Sequence, residues 1–158
     1  MPLFEKILYS TDFSPLAEYA LDYVRKLKGA GTKEVVIVHV VDDVSIELPE
    51  GADLIKEKEL FKILPEVDQE YITTLVQKLE TIKSKLEREG LSAKIYLKYG
   101  NISKQIVNIA ESEKVRLIIM GAHGKGLLTE ILLGSVSTDV IRNAKCPVLI
   151  IKKDLPKL

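Results

Sequence analysis

The chain contains a single cysteine, Cys146, and no tryptophan. One cysteine cannot form an internal disulfide, which fits a reducing compartment. The chain also has no excess of either charge, because 23 basic residues balance 23 acidic ones among the 158 residues. Proteins that bind nucleic acid backbone or anionic membrane need a positive field. We therefore expect neither nucleic acid nor a membrane among the partners.

Long apolar runs are missing as well. The longest, residues 35–41, contains His39 and is much too short to cross a bilayer. The first residues place Glu5 and Lys6 where a signal peptide needs an unbroken apolar stretch. A chain of this length suits one core, so residues 1–158 are expected to form a single domain in the cytoplasm.

Strand-like and helix-like patterns alternate along the chain. Apolar and β-branched runs predict strands at 3–10, 34–41, 92–100, 115–120 and 146–152. Helical spacing predicts helices at 15–28, 71–89, 102–109 and 136–144, with an irregular or partly helical excursion at 42–65. This order predicts an α/β fold: a five-stranded parallel sheet of order 3-2-1-4-5, with helices on both faces, doubly wound and Rossmann-like. Strands one and four then border a crevice at their carboxyl ends, where such sheets bind ligands.

Glycines mark the turn after the fourth strand and the start of the last helix. Gly121 and Gly124 flank His123, and Gly134 precedes Ser135 and Ser137. Backbone N–H groups and helix N-termini bind phosphates, and glycine lets a phosphate approach the backbone closely. The alternative is a glycine-rich turn followed by an ordinary helix cap.

A second candidate lies after the first strand, where Thr11 and Asp12 precede Ser14. The Asp12 carboxylate could accept from an adenine amino group or a ribose hydroxyl, or orient a metal-bound water. The alternative is that Thr11, Asp12 and Ser14 only cap the first helix. In the predicted strand order both turns face the same crevice, which favours a ligand site.

The residues of these two turns match the motif of a known protein family. The glycines form a complete motif: Gly121, two residues, Gly124, nine residues, and then Gly134–Ser135. The motif occurs together with the segments "ILYSTDFS", "VIVHVVD" and "CPVLIIK". With this motif the chain resembles the universal stress protein family, specifically its ATP-binding branch. The resemblance covers essentially the whole chain. One departure is Ser10, where family members commonly have proline.

The resemblance implies ATP as the ligand, with Mg²⁺ or Mn²⁺ held mainly by the phosphates. The implied contacts are Asp12 and the Val40 backbone at the adenine; Ser10, Thr11 and Gly121 along the ribose; Gly124, Gly134, Ser135, Val136 and Ser137 at the phosphates; and His123 close to the phosphate chain. It also points to a homodimer through the last strand, from Pro147 to Lys152, whose apolar edge invites pairing. The further protein partner that would read the nucleotide state is unknown.

Three functions fit such a fold. The first is a nucleotide-responsive regulatory protein of the stress response, with at most slow hydrolysis. The second is a free-standing ATPase, for which His123 is the only candidate base. The third, a phospho-acceptor switch, needs a cluster of acids at the end of the first strand, and only Asp12 is present there. His39 is expected to be a hydrogen-bonded core histidine, and Cys146 a small buried hydrophobe.

Overall fold

A computed structural model describes residues 2–123 and 133–152. The described residues form five parallel strands in the order β3-β2-β1-β4-β5, which confirms the predicted fold. The strands are β1 (Lys6–Ser10), β2 (Glu34–Val41), β3 (Ser92–Tyr99), β4 (Ile118–Gly121) and β5 (Val148–Ile151). The helices are α1 (Pro15–Lys26), extended by a 3₁₀ turn (Leu27–Ala30), then α2 (Lys58–Ile63), α3 (Glu66–Arg88), α4 (Ile102–Glu113) and α5 (Ser135–Asn143).

Local sequence explains where several helices begin. The Ser14 hydroxyl accepts from the Ala17 N–H at 3.2 Å, and Pro15 occupies the first position of α1. Asn101 caps α4 by accepting from the Lys104 N–H at 2.9 Å. Helix α3 begins at Glu66, earlier than the apolar stripe predicts, because the stripe marks only the buried face.

Both faces of the sheet are covered. Strand residues alternate, so Ile7 and Tyr9 belong to the core layer that contains α1 and α3, whereas Leu8 belongs to the layer of α4 and α5. Burial on both faces accounts for the continuous apolar runs in the strand sequences. None of the helices in the described ranges is both long and apolar enough to cross a membrane.

The excursion after β2 is mostly irregular, with α2 as its only helix in the structure, and it covers one sheet edge. The Gly51 N–H donates to the Tyr99 carbonyl at 2.8 Å, and the Tyr99 N–H donates to the Ala52 carbonyl at 2.9 Å. A third bond joins the Leu54 N–H to the Leu97 carbonyl at 2.9 Å. The carboxyl-terminal half of β3 is therefore paired on both sides. Covering an edge with a loop is one way in which proteins protect it from pairing with another chain.

A half-buried carboxylate joins the sheet to α4 at the opposite, amino-terminal end of the strands. Glu113 accepts from Lys6 Nζ at 2.9 Å, from Lys94 Nζ at 2.8 Å, and from the Tyr96 hydroxyl. Burial alone would raise the pKa of Glu113, but the hydrogen bonds from Lys94, Tyr96 and Lys6 outweigh it and lower the pKa to about 2. This network lies away from the crevice and contributes to stability.

Candidate functional site

A cavity of about 550 Å³ opens at the carboxyl ends of β1 and β4, where the strand order reverses. This is the position at which open parallel sheets bind ligands. Of the site residues named from the sequence, Gly124 lies outside the described residues. All the others line the cavity: Ser10, Thr11, Asp12, Val40, Gly121, His123, Gly134, Ser135, Val136 and Ser137. Their contacts with a ligand stay a prediction.

The turn after β1 is compatible with both roles considered for it. Asp12 Oδ1 accepts from the Ser14 N–H at 3.0 Å, so Asp12 shapes the entry to α1 as the capping alternative requires. The same residue lines the cavity, so capping does not remove it from the site. Phe13, which lies between Asp12 and Ser14, has a φ of 64°, a left-handed conformation that few non-glycine residues adopt.

Thr11 lines the cavity, but its polar groups form hydrogen bonds within the protein. Its N–H donates to the Val38 carbonyl at 3.0 Å, and its hydroxyl oxygen accepts from the Phe13 N–H at 2.9 Å. The residue is only 4% exposed. Thr11 therefore organises the turn that carries Asp12, and its side chain offers little surface to a ligand.

Strand register explains why the backbone of Val40 faces the cavity. In a parallel sheet, alternate residues direct their N–H and C=O groups to opposite neighbours. The Val38 carbonyl bonds to the Thr11 N–H on the β1 side, whereas the Val41 carbonyl accepts from the Gly100 N–H on the β3 side at 2.9 Å. Val40 therefore directs its backbone groups to the β1 side. Because β1 ends at Ser10, which pairs with Val38, these groups extend past the end of β1.

The amino terminus of α5 forms the opposite wall of the cavity. Its N-cap residue is Gly134, which has no side chain to cap the helix, in contrast to the N-cap residues of α1 and α4. The N–H groups of Ser135, Val136 and Ser137 have no carbonyl partner within the helix, because they lie in its first turn. With the positive end of the helix dipole, they form a donor set that suits an anion.

Two residues of the predicted site, Ser137 and Gly121, also have a structural role that does not depend on a ligand. The Ser137 hydroxyl donates to the Gly121 carbonyl at 2.9 Å, so it fixes α5 to the end of β4 and has no proton left for a phosphate. A Cβ on Gly121 would lie 3.2 Å from Leu16 Cγ, so the tight packing of α1 against β4 already favours glycine there. For Ser137, the backbone N–H remains as the group that can reach a ligand.

The outer wall of the cavity was not predicted from the sequence. Phe13, Tyr71 and Lys78 line it, together with Asp42 and Asp43. The two aspartates follow β2 directly, so the rule that ligands bind at carboxyl ends could have identified them. Tyr71 and Lys78 lie two helical turns apart on α3, and only the tertiary packing of that helix brings them to the crevice.

The outer wall is held together by polar and ring contacts. The Tyr71 hydroxyl donates to the Asp43 carboxylate at 3.1 Å, and burial together with Asp43 raises the pKa of Tyr71 to about 12. Lys78 Nζ lies 5.3 Å from the Phe13 ring centroid. These contacts attach α3 and the segment after β2 to the turn that carries Asp12.

His39 also lines this part of the cavity. Its Nδ1 lies 2.7 Å from the Thr11 carbonyl oxygen, so the expected hydrogen bond is present, but the residue is half-buried and lines the cavity instead of lying in the core. Burial lowers the pKa of His39, against the opposing effects of the Thr11 hydrogen bond and of the nearby Asp12 and Asp43. This shift favours the neutral form of the imidazole.

A doubly wound parallel sheet with a helix N-terminus and strand-end polar groups at its reversal point defines a class of α/β ligand-binding domains. The model of the universal stress protein family matches residues 3–152, so the chain belongs to that family. Among residues 2–123 and 133–152, no group of three or more acidic, histidine or cysteine side chains is placed to hold a metal ion.

The similarity to known relatives covers nearly the whole chain. Universal stress protein MJ0577 of Methanocaldococcus jannaschii is 40% identical over 156 residues, which is 96% of each chain. A solved structure of MJ0577 matches with a TM-score of 0.79 and 38% identity, covering 98% of this chain and 99% of the other. YxiE of Bacillus subtilis is 30% identical over 95% of this chain and 100% of its own. A universal stress protein from Archaeoglobus fulgidus, solved in complex with dAMP, shares the fold at a TM-score of 0.62 and 24% identity, covering 96% of this chain and 100% of its own.

Proposed function

We propose that this universal stress protein binds ATP at the crevice and acts as a nucleotide-responsive regulatory homodimer in the stress response, with at most slow hydrolysis. The observation that carries the proposal is the glycine-capped amino terminus of α5, which shares one cavity with Asp12 and Val40. An anion site and a base-recognition site at opposite walls suit a nucleotide. The solved dAMP complex of a fold relative supports adenine nucleotides as the ligand class.

At the base end, the Val40 backbone supplies one donor and one acceptor side by side. The edge of adenine offers the complementary pair, a ring nitrogen that accepts and an amino group that donates. Asp12 adds an acceptor for the amino group or for a ribose hydroxyl. Ser10 and Gly121 also line the cavity and would face the ribose.

At the phosphate end, the N–H groups of Ser135, Val136 and Ser137 would hold phosphate oxygens, with Gly134 keeping the approach open. Gly124 and His123 belong to the same proposed set. The described residues provide no carboxylate cage, so Mg²⁺ or Mn²⁺ would be carried mainly by the phosphates. When bound, such a cation neutralises phosphate charge.

A homodimer through β5 is part of the proposal. In the described part of the chain, β5 pairs on one side only, with β4. The opposite edge of the sheet, β3, is covered near its carboxyl end by residues 51–54. Leu149, in the middle of β5, is 37% exposed. Two such edges pairing about a two-fold axis would close the assembly. The cytoplasmic location and the further protein partner stay predictions.

A free-standing ATPase that uses His123 as a base is the alternative. Two measurements separate the proposals. Denaturing the purified protein should release ATP or its slow hydrolysis product, identified by chromatography and mass spectrometry. Incubation with MgATP should show less than one turnover per minute; several turnovers per minute would favour the enzyme, and failure to bind any adenine nucleotide would refute the proposed site.

A further inference from the structure

We propose that His39 is a positioning residue of the ligand site, which holds the turn bearing Asp12 through its Nδ1–H···O=C bond to Thr11 and through its ring contact with Phe13. The role of Asp12 toward a nucleotide rests on the proposed function. The positioning itself is a property of the protein without ligand. His39 would act through the turn and not by touching the nucleotide.

The place of His39 in the sheet makes this contact possible. β1 pairs with β2 as far as Ser10 and Val38, and the chain leaves the sheet at Thr11. β2 continues to Val41, so His39 stands beside the departing chain. It shares a sheet face with Val41, on the layer that contains α1 and α3.

The hydrogen bond fixes the tautomer of the imidazole. A carbonyl oxygen only accepts, so Nδ1 at 2.7 Å from the Thr11 oxygen must carry the proton. In the neutral ring Nε2 is then bare. Protonation would add a proton at Nε2 and leave the Nδ1–H in place, so the bond to Thr11 survives either state. The charged groups around His39 are Asp12 after β1, Asp43 after β2 and Lys78 on α3.

The turn needs such support because its backbone is strained. Phe13 adopts a φ of 64°, which is unfavourable for a residue with a bulky side chain. Its ring lies 4.7 Å from the His39 ring, tilted by 44°. Strained conformations persist only where surrounding contacts determine them. His39 supplies two of these contacts, one to the backbone before Asp12 and one to the side chain after it.

Asparagine and glutamine variants separate positioning from direct ligand contact. In His39→Asn the side-chain amide can place its nitrogen near the position of Nδ1, whereas in His39→Gln the longer amide reaches toward the position of Nε2. If the bond to Thr11 carries most of the positioning, His39→Asn, which keeps this bond and loses the ring contact with Phe13, should bind MgATP within about threefold of wild type in calorimetric titration. His39→Gln and His39→Leu should each bind at least about tenfold more weakly. Equal affinity of folded His39→Leu and wild type would overturn the inference, as would retention by Gln and loss by Asn.

A second readout does not depend on the nucleotide. Amide hydrogen exchange of Phe13 and Ser14, whose N–H groups bond to Thr11 Oγ1 and Asp12 Oδ1, should be at least about tenfold faster in His39→Gln than in wild type or His39→Asn. Unchanged protection in His39→Gln refutes the positioning role, even if ATP binds. If wild type binds no adenine nucleotide but the exchange pattern holds, the proposed function fails and the positioning role stands. Where His39→Leu does not fold, the Asn and Gln pair decides.

Discussion

Proline at position 135 tests the phosphate site with little disturbance of the fold. Ser135 is the first residue of α5, the helical position that proline favours because its N–H has no helical partner. The preceding residue must be extended before a proline, and Gly134 already has φ −78° and ψ 169°. Ser135→Pro therefore deletes one of the three N–H groups assigned to the phosphates and leaves the helix intact.

The size of the effect follows from the kind of bond that is lost. A hydrogen bond to a charged group contributes about 1.5–3 kcal/mol. Losing one should weaken MgATP binding about 10- to 150-fold. Ser135→Ala is the matched control, because it removes the hydroxyl and keeps the N–H. We expect it to change the dissociation constant by about threefold or less, equivalent to about 0.7 kcal/mol.

Isothermal titration calorimetry gives the affinities, and circular dichroism with thermal unfolding shows whether α5 and the fold are retained. If Ser135→Pro is folded and binds MgATP as tightly as Ser135→Ala, the phosphates do not contact this helix terminus. A comparable loss in both variants would instead assign the interaction to the Ser135 hydroxyl. Either result would require the proposed phosphate contacts to be redrawn.

Three further predictions concern other parts of the molecule. Asp12→Asn keeps an oxygen for the Ser14 N–H, so the turn and the melting temperature should persist while MgATP affinity falls about tenfold, measured by the same titration. Leu149→Lys should convert a dimer to a monomer in light scattering, whereas Ile141→Lys, an exposed position on α5, should not; a wild-type monomer at high micromolar concentration would contradict the dimer. Glu113→Gln should lower the free energy of unfolding by about 2–3 kcal/mol at pH 7, because the pKa of Glu113 lies well below its unfolded value. This contribution is present above the ordinary glutamate pKa and is lost as the pH falls toward 2, so urea unfolding of wild type and variant should converge there.

Sequence alone predicted the fold because the strand patterns are distinctive. Runs such as residues 35–38 are apolar at every position, which is typical of a parallel strand that is buried on both faces. Alternation with helices then leaves few topologies, and the crevice follows from the strand order. The glycines at 121 and 134 and the aspartate at 12 could be placed at that crevice from the sequence.

The outer wall of the cavity and the covered sheet edge could not be predicted in this way. Tyr71 belongs to an ordinary amphipathic helix, and only the packing of α3 brings its hydroxyl to Asp43. The edge of β3 is covered through backbone hydrogen bonds with Gly51, Ala52 and Leu54, and backbone bonding leaves little trace in the side-chain pattern. Likewise, Ser137 fits a phosphate motif, yet its hydroxyl is occupied by the Gly121 carbonyl.

The unequal lengths of β1 and β2 connect these features. β2 extends to Val41, past Val38, the partner of Ser10, which is the last residue of β1. That extension directs the Val40 backbone into the crevice and also places His39 beside the Thr11 carbonyl. A shift of one residue in the pairing would turn Val40 toward β3 and move its side chain to the other face of the sheet. The proposed base recognition and the proposed support of the Asp12 turn therefore depend on the same register. We expect substitutions that disturb this register to affect both together, unlike substitutions at the α5 terminus.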